Sequence, residues 1–252
     1  MKTEDIVLVI SWWWFKSFYA LWILKAIEEL WIKDRIKACY WVSWWAITLS
    51  FWLSWYSAEE IYNIWSDINY LKVFSPNLKI PKSLIPNDVI YEIFNKYLKK
   101  DISDLDKKLY IGATDLKTWK YKLFSSWVLS KILFWSMSIR WVFPWSKYRK
   151  MFLFDGGVLD NFPVKLAKDK HKNEQILWIL LNKIEKDDEI SWIKNILRRS
   201  FHLVLDSNVL GQIKYVDILF HNKIWIWVLE FNKKKFKDVF EKWYKDWLAK
   251  LS

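Results

Sequence analysis

Short apolar runs alternate with amphipathic stretches along most of the chain. Runs rich in β-branched residues predict buried strands, and apolar residues at i, i+3 and i+4 predict helices packed on one face. Strands are predicted at 6–10, 38–42, 151–154 and 175–181, as a hairpin at 108–125, and near 223–229. Helices are predicted at 18–30, 44–55, 57–70, 88–100 and 128–137.

The order of these elements indicates an α/β fold. Strands that alternate with helices favour a largely parallel sheet covered by helices. Ser57 and Glu60 are spaced as a capping box, which predicts the start of the third helix. A Pro-containing loop is expected at 76–86. With no internal repeat and no obvious linker, the chain is interpreted as one domain.

Glycine and tryptophan contents are both abnormal. The 252 residues include 4 Gly and 22 Trp, whereas average usage would give about 18 Gly. Tryptophan also stands where turns need a residue tolerant of positive φ or of close backbone approach, which is ordinarily glycine. Trp119 stands at the predicted hairpin tip and Trp31 just after a predicted helix end.

A decoding difference would account for both anomalies. The codon UGA is read as Trp in one variant genetic code and as Gly in another, so a gene that uses UGA for glycine would show Trp at turns. Twelve positions are interpreted as glycine, and with the four printed Gly they give 16 (12 + 4). They are Trp12, Trp13, Trp14, Trp22, Trp31, Trp41, Trp44, Trp45, Trp55, Trp119, Trp141 and Trp145. If the tryptophans are real, a membrane-interface or sugar-binding protein is the other interpretation.

The net charge and the numbers of histidine and cysteine residues limit the classes of function that the chain is expected to have. The net charge of +12 comes mainly from lysine spread along the chain, and no nucleic-acid motif accompanies it, so no nucleic-acid partner is expected. Three His and one Cys show no ligand spacing, which predicts neither a metal site nor a cofactor. Lys16 interrupts the apolar run 6–27, and no signal-peptide pattern is present, so a cytoplasmic protein is expected.

With glycine at the twelve positions, three segments at the ends of predicted strands show glycine-rich motifs. Residues 12–17 become G-G-G-F-K-S, residues 41–45 become G-V-S-G-G, and Asp155-Gly156-Gly157 stands as printed. These blocks, with "IGATDLKTWK" and "SMSIRWVFPWSKYRKMFLFDGGVLDNFPV", resemble the patatin-like phospholipase family in the same order. The resemblance covers roughly residues 6–168.

The resemblance implies a fold, a reaction and a set of site residues. The fold would be a three-layer patatin-like α/β fold with a mainly parallel central sheet, its catalytic core at 6–168 and 169–252 completing the same domain. Ser43 would be the nucleophile and Asp155 the proton acceptor of a dyad, followed by Gly156 and Gly157. The other implied positions are the oxyanion segment, Trp12, Trp13, Trp14, Phe15 and Lys16, and the elbow, Trp41, Trp44 and Trp45. The substrate would be a phospholipid or other acyl lipid.

Two alternatives remain open at the level of sequence. The order Ser43, Asp155 and then His171, His202 or His221 also fits a Ser–Asp–His triad of the α/β-hydrolase type. If the tryptophans are real, a catalytically inactive lipid-binding protein is expected instead.

The basic amphipathic run 231–252 is interpreted as a packed helix or as a helix on a membrane surface, so peripheral membrane contact is left open.

Overall fold

In the part of the chain that the structure describes, eight strands form one sheet. The computed structural model describes residues 5–11, 17–43, 45–68, 87–138, 146–180 and 207–221, together with Tyr244, Lys245 and Leu248. The strands are β1 (Ile6–Ser11), β2 (Ile36–Val42), β3 (Lys108–Asp115), β4 (Lys120–Phe124), β5 (Ser146–Tyr148), β6 (Met151–Asp155), β7 (Gln175–Leu180) and β8 (Ile218–His221).

The sheet is mostly parallel. β3, β2, β1, β7 and β8 lie side by side in that order, and all four pairs among them are parallel. β4 and β6 pair with β3 in the antiparallel sense, and β5 pairs with β6. β4 forms the hairpin predicted between residues 108 and 125, which is confirmed.

Helices cover both faces of the sheet. They are α1 (Ser17–Glu29), α2 (Trp45–Leu53), α3 (Ala58–Asp67), α4 (Asn87–Tyr97), α5 (Leu129–Ser136), α6 (Gly157–Asp160) and α7 (Val164–Lys170). The capping box at Ser57 and Glu60 is confirmed, since the serine side chain accepts from the Glu60 backbone while the Glu60 carboxylate accepts from the Ser57 N–H. A further helical segment lies at 207–212.

The core has two parts because strand side chains alternate between faces. In β1, Ile6, Leu8 and Ile10 join a larger cluster with side chains of α1 to α5, whereas Val7 and Val9 join a smaller cluster with side chains of α7. The predicted class, an α/β fold with a mainly parallel sheet flanked by helices, is confirmed. The division of the domain at residue 168 stays a prediction.

Some predicted elements differ from the structure or fall outside the described residues. β8, at Ile218–His221, is not among the predicted strands, and the strand predicted near 223–229 stays a prediction. That range, the loop at 76–86, the oxyanion segment 12–16 and most of the C-terminal run lie outside the described residues. Within the described part of the chain, no helix has the length and apolar character needed to cross a membrane.

Tryptophans divide into two groups by backbone conformation and exposure. Four have positive φ, namely Trp31 (57°), Trp55 (79°), Trp119 (53°) and Trp127 (124°). The exposed fractions of their side chains are 78%, 67%, 71% and 41% in the same order. Among the remaining described tryptophan side chains, all are buried and none has positive φ; they are Trp22, Trp41, Trp52, Trp65, Trp135 and Trp178.

Two of the positive-φ tryptophans occupy helix ends that ordinarily carry glycine. After α1, Ile32 N–H donates to the Ile27 carbonyl and Trp31 N–H to the Glu28 carbonyl, at 3.0 and 3.1 Å. This pair of bonds defines a Schellman motif with Trp31 at its left-handed position. After α2, Tyr56 N–H donates to the Phe51 carbonyl at 3.4 Å, so Trp55 occupies the equivalent position.

Candidate active site

Ser43 occupies the tight turn between β2 and α2. β2 ends at Val42 and α2 begins at Trp45, so only two residues reverse the chain direction. Ser43 has φ of 63°, the left-handed region that costs a non-glycine residue roughly 1–2 kcal/mol. Such a turn projects the side chain away from the sheet at the carboxyl end of the strand, as the nucleophile elbow of α/β-hydrolases does.

The register of the sheet brings Asp155 to Ser43. Val42 pairs with Gly112 on β3, and the next residue of β3, Ala113, pairs with Asp155 at the end of β6. Ser43 and Asp155 therefore lie next to each other beside β3, although they are 112 residues apart in sequence. The Ser43 hydroxyl donates a hydrogen bond to Asp155 Oδ2.

Asp155 is buried, and two hydrogen bonds to its carboxyl group and one from its backbone hold it in place. Its other oxygen, Oδ1, accepts the Gly157 N–H at 2.7 Å, and its backbone N–H donates to the Ser138 carbonyl at 3.1 Å. Burial is the largest influence and raises the pKa of Asp155 to about 6, while the hydrogen bonds from Ser43 and Gly157 oppose that rise. A carboxylate with this pKa is a stronger base than an ordinary aspartate.

Gly156 is needed because two backbone segments meet there. A Cβ added at this residue would lie 2.6 Å from the carbonyl carbon and oxygen of Gly112 and 2.9 Å from Val42 Cγ1. These distances are too short for any side chain, and two of the three contacts are with backbone atoms. The close approach seats Asp155 against the end of β3, beside the Ser43 turn.

The fold is similar to that of VipD. The crystal structure of VipD from Legionella pneumophila aligns with a TM-score of 0.64 and 13% sequence identity, over 98% of this chain and 67% of that chain. The type III effector protein ExoU aligns with a TM-score of 0.37 and 10% identity, over 84% and 53% of the two chains. Neither a protein-family model nor a curated protein sequence matches the chain. At these identities the likeness to VipD concerns the fold alone.

Ser136 is a site residue that the sequence motifs did not indicate. It is the last residue of α5 and is fully buried. Its hydroxyl accepts the Ser43 backbone N–H at 2.7 Å and donates to the Gly112 carbonyl at 2.6 Å. It lies within one of the sequence blocks that carry the family resemblance, but nothing in that block marks its hydroxyl as a partner of Ser43.

Some predicted site positions are described only in part. Residues 12–16 and Trp44 lie outside the described residues, and Trp45 is described as the first residue of α2 by its backbone alone. Their expected roles in the oxyanion hole and the elbow therefore stay predictions. Trp41 pairs with Ile111 within the sheet and is fully buried in the larger core cluster, so its backbone does not require glycine.

The histidines of the alternative triad differ in what the structure describes. His171 packs against Tyr40 and Tyr110, with ring centroids 5.7 and 6.2 Å away, and its Nδ1 lies 3.4 Å from Glu174. Tyr40 is three residues before Ser43, or about 10 Å along an extended strand. His221 ends β8, three strands from β2, and His202 lies outside the described residues.

No cluster of candidate metal ligands occurs in the described part of the chain. A search of those residues for three or more His, Cys, Asp or Glu side chains in a ligand arrangement finds none. Cys39 is fully buried in the core, where burial raises the pKa of its thiol. A protonated, enclosed thiol is a poor nucleophile and a poor ligand.

Proposed function

We propose that the protein is a serine carboxylic-ester hydrolase of the patatin-like type that acts on phospholipid or other acyl-lipid substrates. The hydrogen bond from the Ser43 hydroxyl to Asp155, made from a left-handed strand-to-helix turn, is the observation that carries the proposal. The fold supports it, because the α/β architecture with a mainly parallel sheet that the chain shares with VipD is the one that the family resemblance implies. The sequence blocks around Ser43 and Asp155 support it independently of the fold.

The proposed reaction uses Ser43 and Asp155 as a dyad. Asp155 takes the hydroxyl proton while Ser43 Oγ attacks the ester carbonyl carbon, giving a tetrahedral oxyanion. The oxyanion collapses, the bond to the alcohol breaks, and the alcohol leaves with the proton from Asp155. Water then loses a proton to Asp155 as it attacks the acyl-enzyme. Collapse breaks the bond to Ser43 Oγ and releases the carboxylic acid, and Asp155 returns its proton to restore the Ser43 hydroxyl.

Backbone donors near Ser43 would stabilise the oxyanion. In the proposal these are N–H groups of residues 12–16, with glycine at positions 12, 13 and 14 so that the backbone can approach the substrate. Lys16 would add positive charge there. Removing one such donor from a hydrolase typically costs about 10²–10³ in rate, so the identity of these residues matters for activity.

We also propose that tryptophan stands for glycine at UGA-encoded positions. The support is the coincidence of positive φ and high exposure at Trp31, Trp55 and Trp119, three of the twelve positions inferred from sequence. Trp127 has the same two properties and is added to the set. Trp22 and Trp41 are buried without positive φ, so their assignment rests on sequence alone.

Ester hydrolysis by two forms of the chain tests the function. The printed chain and a chain with glycine at the twelve positions would be assayed with a p-nitrophenyl ester and with phospholipid in mixed micelles. We expect the glycine form to hydrolyse both, and Ser43→Ala and Asp155→Asn to abolish turnover. Ser50→Ala is the matched control, because that buried hydroxyl donates to the Ala46 carbonyl within α2.

The outcomes separate the proposed hydrolase from its rivals. Equal rates for the glycine form and its Ser43→Ala variant would refute the hydrolase. Loss of activity in a folded His202→Ala or His221→Ala variant would favour the triad over the dyad. Lipid binding without turnover by either form would favour an inactive lipid-binding protein. UGG codons at positions 12–14, 41, 44 and 45 would remove the decoding proposal and leave the hydrolase assay unaffected.

A further inference from the structure

We infer that Ser136 is a positioning residue, which fixes the backbone of Ser43 so that its hydroxyl faces Asp155. The inference rests on the proposed hydrolase function. The hydrogen bonds of the Ser136 hydroxyl go to the Ser43 N–H and the Gly112 carbonyl, so Ser136 acts through the backbone of Ser43.

The Ser136 hydroxyl joins three elements of the fold. Ser136 is the last residue of α5. Its hydroxyl accepts a hydrogen bond from the Ser43 N–H at 2.7 Å and donates one to the Gly112 carbonyl at 2.6 Å. A hydroxyl has one donor and two acceptor sites, so the bond to Gly112 fixes the direction in which the oxygen accepts. The oxygen therefore presents a lone pair to one backbone N–H, that of the proposed nucleophile.

Ser43 needs such a partner because of its place in the turn. An N–H at the start of a helix has no intrahelical acceptor, and left-handed backbone is unfavourable for a residue with a side chain. Of the six described non-glycine residues with positive φ, Ser43 is the one that the proposed chemistry requires to keep its side chain. Ser136 satisfies the N–H in that conformation and so favours it over alternatives.

The same segment also holds the other member of the pair. The Ser138 carbonyl accepts the Asp155 N–H at 3.1 Å, two residues after Ser136. Residues 136–138 therefore contact the backbone of both proposed catalytic residues, and they fix the separation of the two main chains. Because the Ser43 N–H is engaged by Ser136, the oxyanion has to be met by other N–H groups.

The test compares removal of two buried hydroxyls in the ester-hydrolysing form of the chain. Ser136→Ala removes the acceptor of the Ser43 N–H, and Ser50→Ala removes an equally buried hydroxyl that bonds the Ala46 carbonyl at 2.6 Å. For a soluble p-nitrophenyl ester we expect Ser136→Ala to lower kcat by about 10- to 100-fold with KM unchanged, since small misplacements of reacting groups cost up to about 10² in rate. Covalent labelling of Ser43 by a fluorophosphonate should slow by the same factor, and Ser50→Ala should match the parent.

Folding is monitored for each variant by thermal unfolding. If Ser136→Ala does not fold, Ser136→Cys replaces it, because the thiol fills the space and accepts hydrogen bonds weakly, and the same loss of kcat is expected. The inference would be overturned if the kcat of the folded Ser136→Ala variant equalled that of Ser50→Ala. It would also be overturned if KM rose by the same factor by which kcat fell. Retained activity in Ser43→Ala would overturn the hydrolase proposal as well, which distinguishes the two failures.

Discussion

Replacement of tryptophan by glycine should stabilise the fold at some positions and destabilise it at others. At Trp31, Trp55 and Trp119 the left-handed backbone costs a residue with a side chain about 1–2 kcal/mol. Glycine removes that strain but adds about 0.5–1 kcal/mol of conformational freedom to the unfolded chain. Taking corresponding ends of the two ranges, the net gain is about 0.5–1 kcal/mol a site, and three separate turns should add to about 1.5–3 kcal/mol.

Trp52 provides the opposing case. Its side chain is fully buried, its indole N–H donates to Glu28 Oε1 at 2.6 Å, and the Lys33 ammonium lies 4.6 Å from the ring centroid. Truncating a buried Trp costs about 3–5 kcal/mol, and glycine within a helix adds about 1 kcal/mol. Trp52→Gly should therefore lower the free energy of unfolding by about 4–6 kcal/mol. These contacts indicate that Trp52 is a genuine tryptophan.

Denaturant and thermal unfolding measure both effects on the printed chain. A gain of 1.5–3 kcal/mol should raise the melting temperature of the triple variant by roughly 3–12 °C, since about 2–4 °C accompany each kcal/mol in a chain of this size. Trp52→Gly alone should unfold at a clearly lower temperature. If glycine destabilises the chain at all three turns, or stabilises it at Trp52, the assignment of glycine positions by φ and exposure is wrong.

Three further predictions concern Asp155 and the turn after it. Because Asp155 acts as the base only when ionised, kcat/KM should fall about tenfold per pH unit below its pKa of about 6, and a pH–rate profile flat down to pH 4 would contradict its role. Since burial raises that pKa, the carboxyl favours folding below pH 4 and loses that contribution as pH rises through 6. Asp155→Asn should therefore be more stable than the parent at pH 8 by up to about 3 kcal/mol, a difference that shrinks towards pH 4 in urea titrations. Gly156→Ala, whose Cβ would lie 2.6 Å from Gly112 backbone atoms, should cost about 1–3 kcal/mol and most of the activity, whereas Gly211→Ala, which meets nothing within 4 Å, should cost neither.

The sequence predicts four strands well because each is a short apolar run, and β1 and β2 are almost entirely buried. β1, β2, β6 and β7 all lie within a residue or two of the predicted ranges. The capping box at Ser57 is equally local, since its two hydrogen bonds lie within four residues. β8 was not predicted because it has only four residues and its position depends on its pairing with β7.

The site could be predicted only as far as its motifs extend. The family resemblance named Ser43 and Asp155, and their hydrogen bond agrees with that expectation, although their catalytic roles remain a proposal. Ser136 could not be found in this way, because its contact with Ser43 spans 93 residues and depends on where α5 ends. Trp127 was missed for a related reason, since no local turn signal marks its position.

Strain at Ser43 and strain at the exposed tryptophans have different explanations. Glycine would remove the strain at Trp31, Trp55 and Trp119 without loss of any described hydrogen bond from their indoles. At Ser43 it would remove the hydroxyl that bonds Asp155, so the proposed chemistry requires a side chain despite the cost of about 1–2 kcal/mol. The Ser43 N–H bond to Ser136 contributes about 0.5–1.5 kcal/mol and the bond to the carboxylate about 1.5–3 kcal/mol. Together they exceed the strain, so the left-handed turn can persist at the one position where glycine would defeat the proposed function.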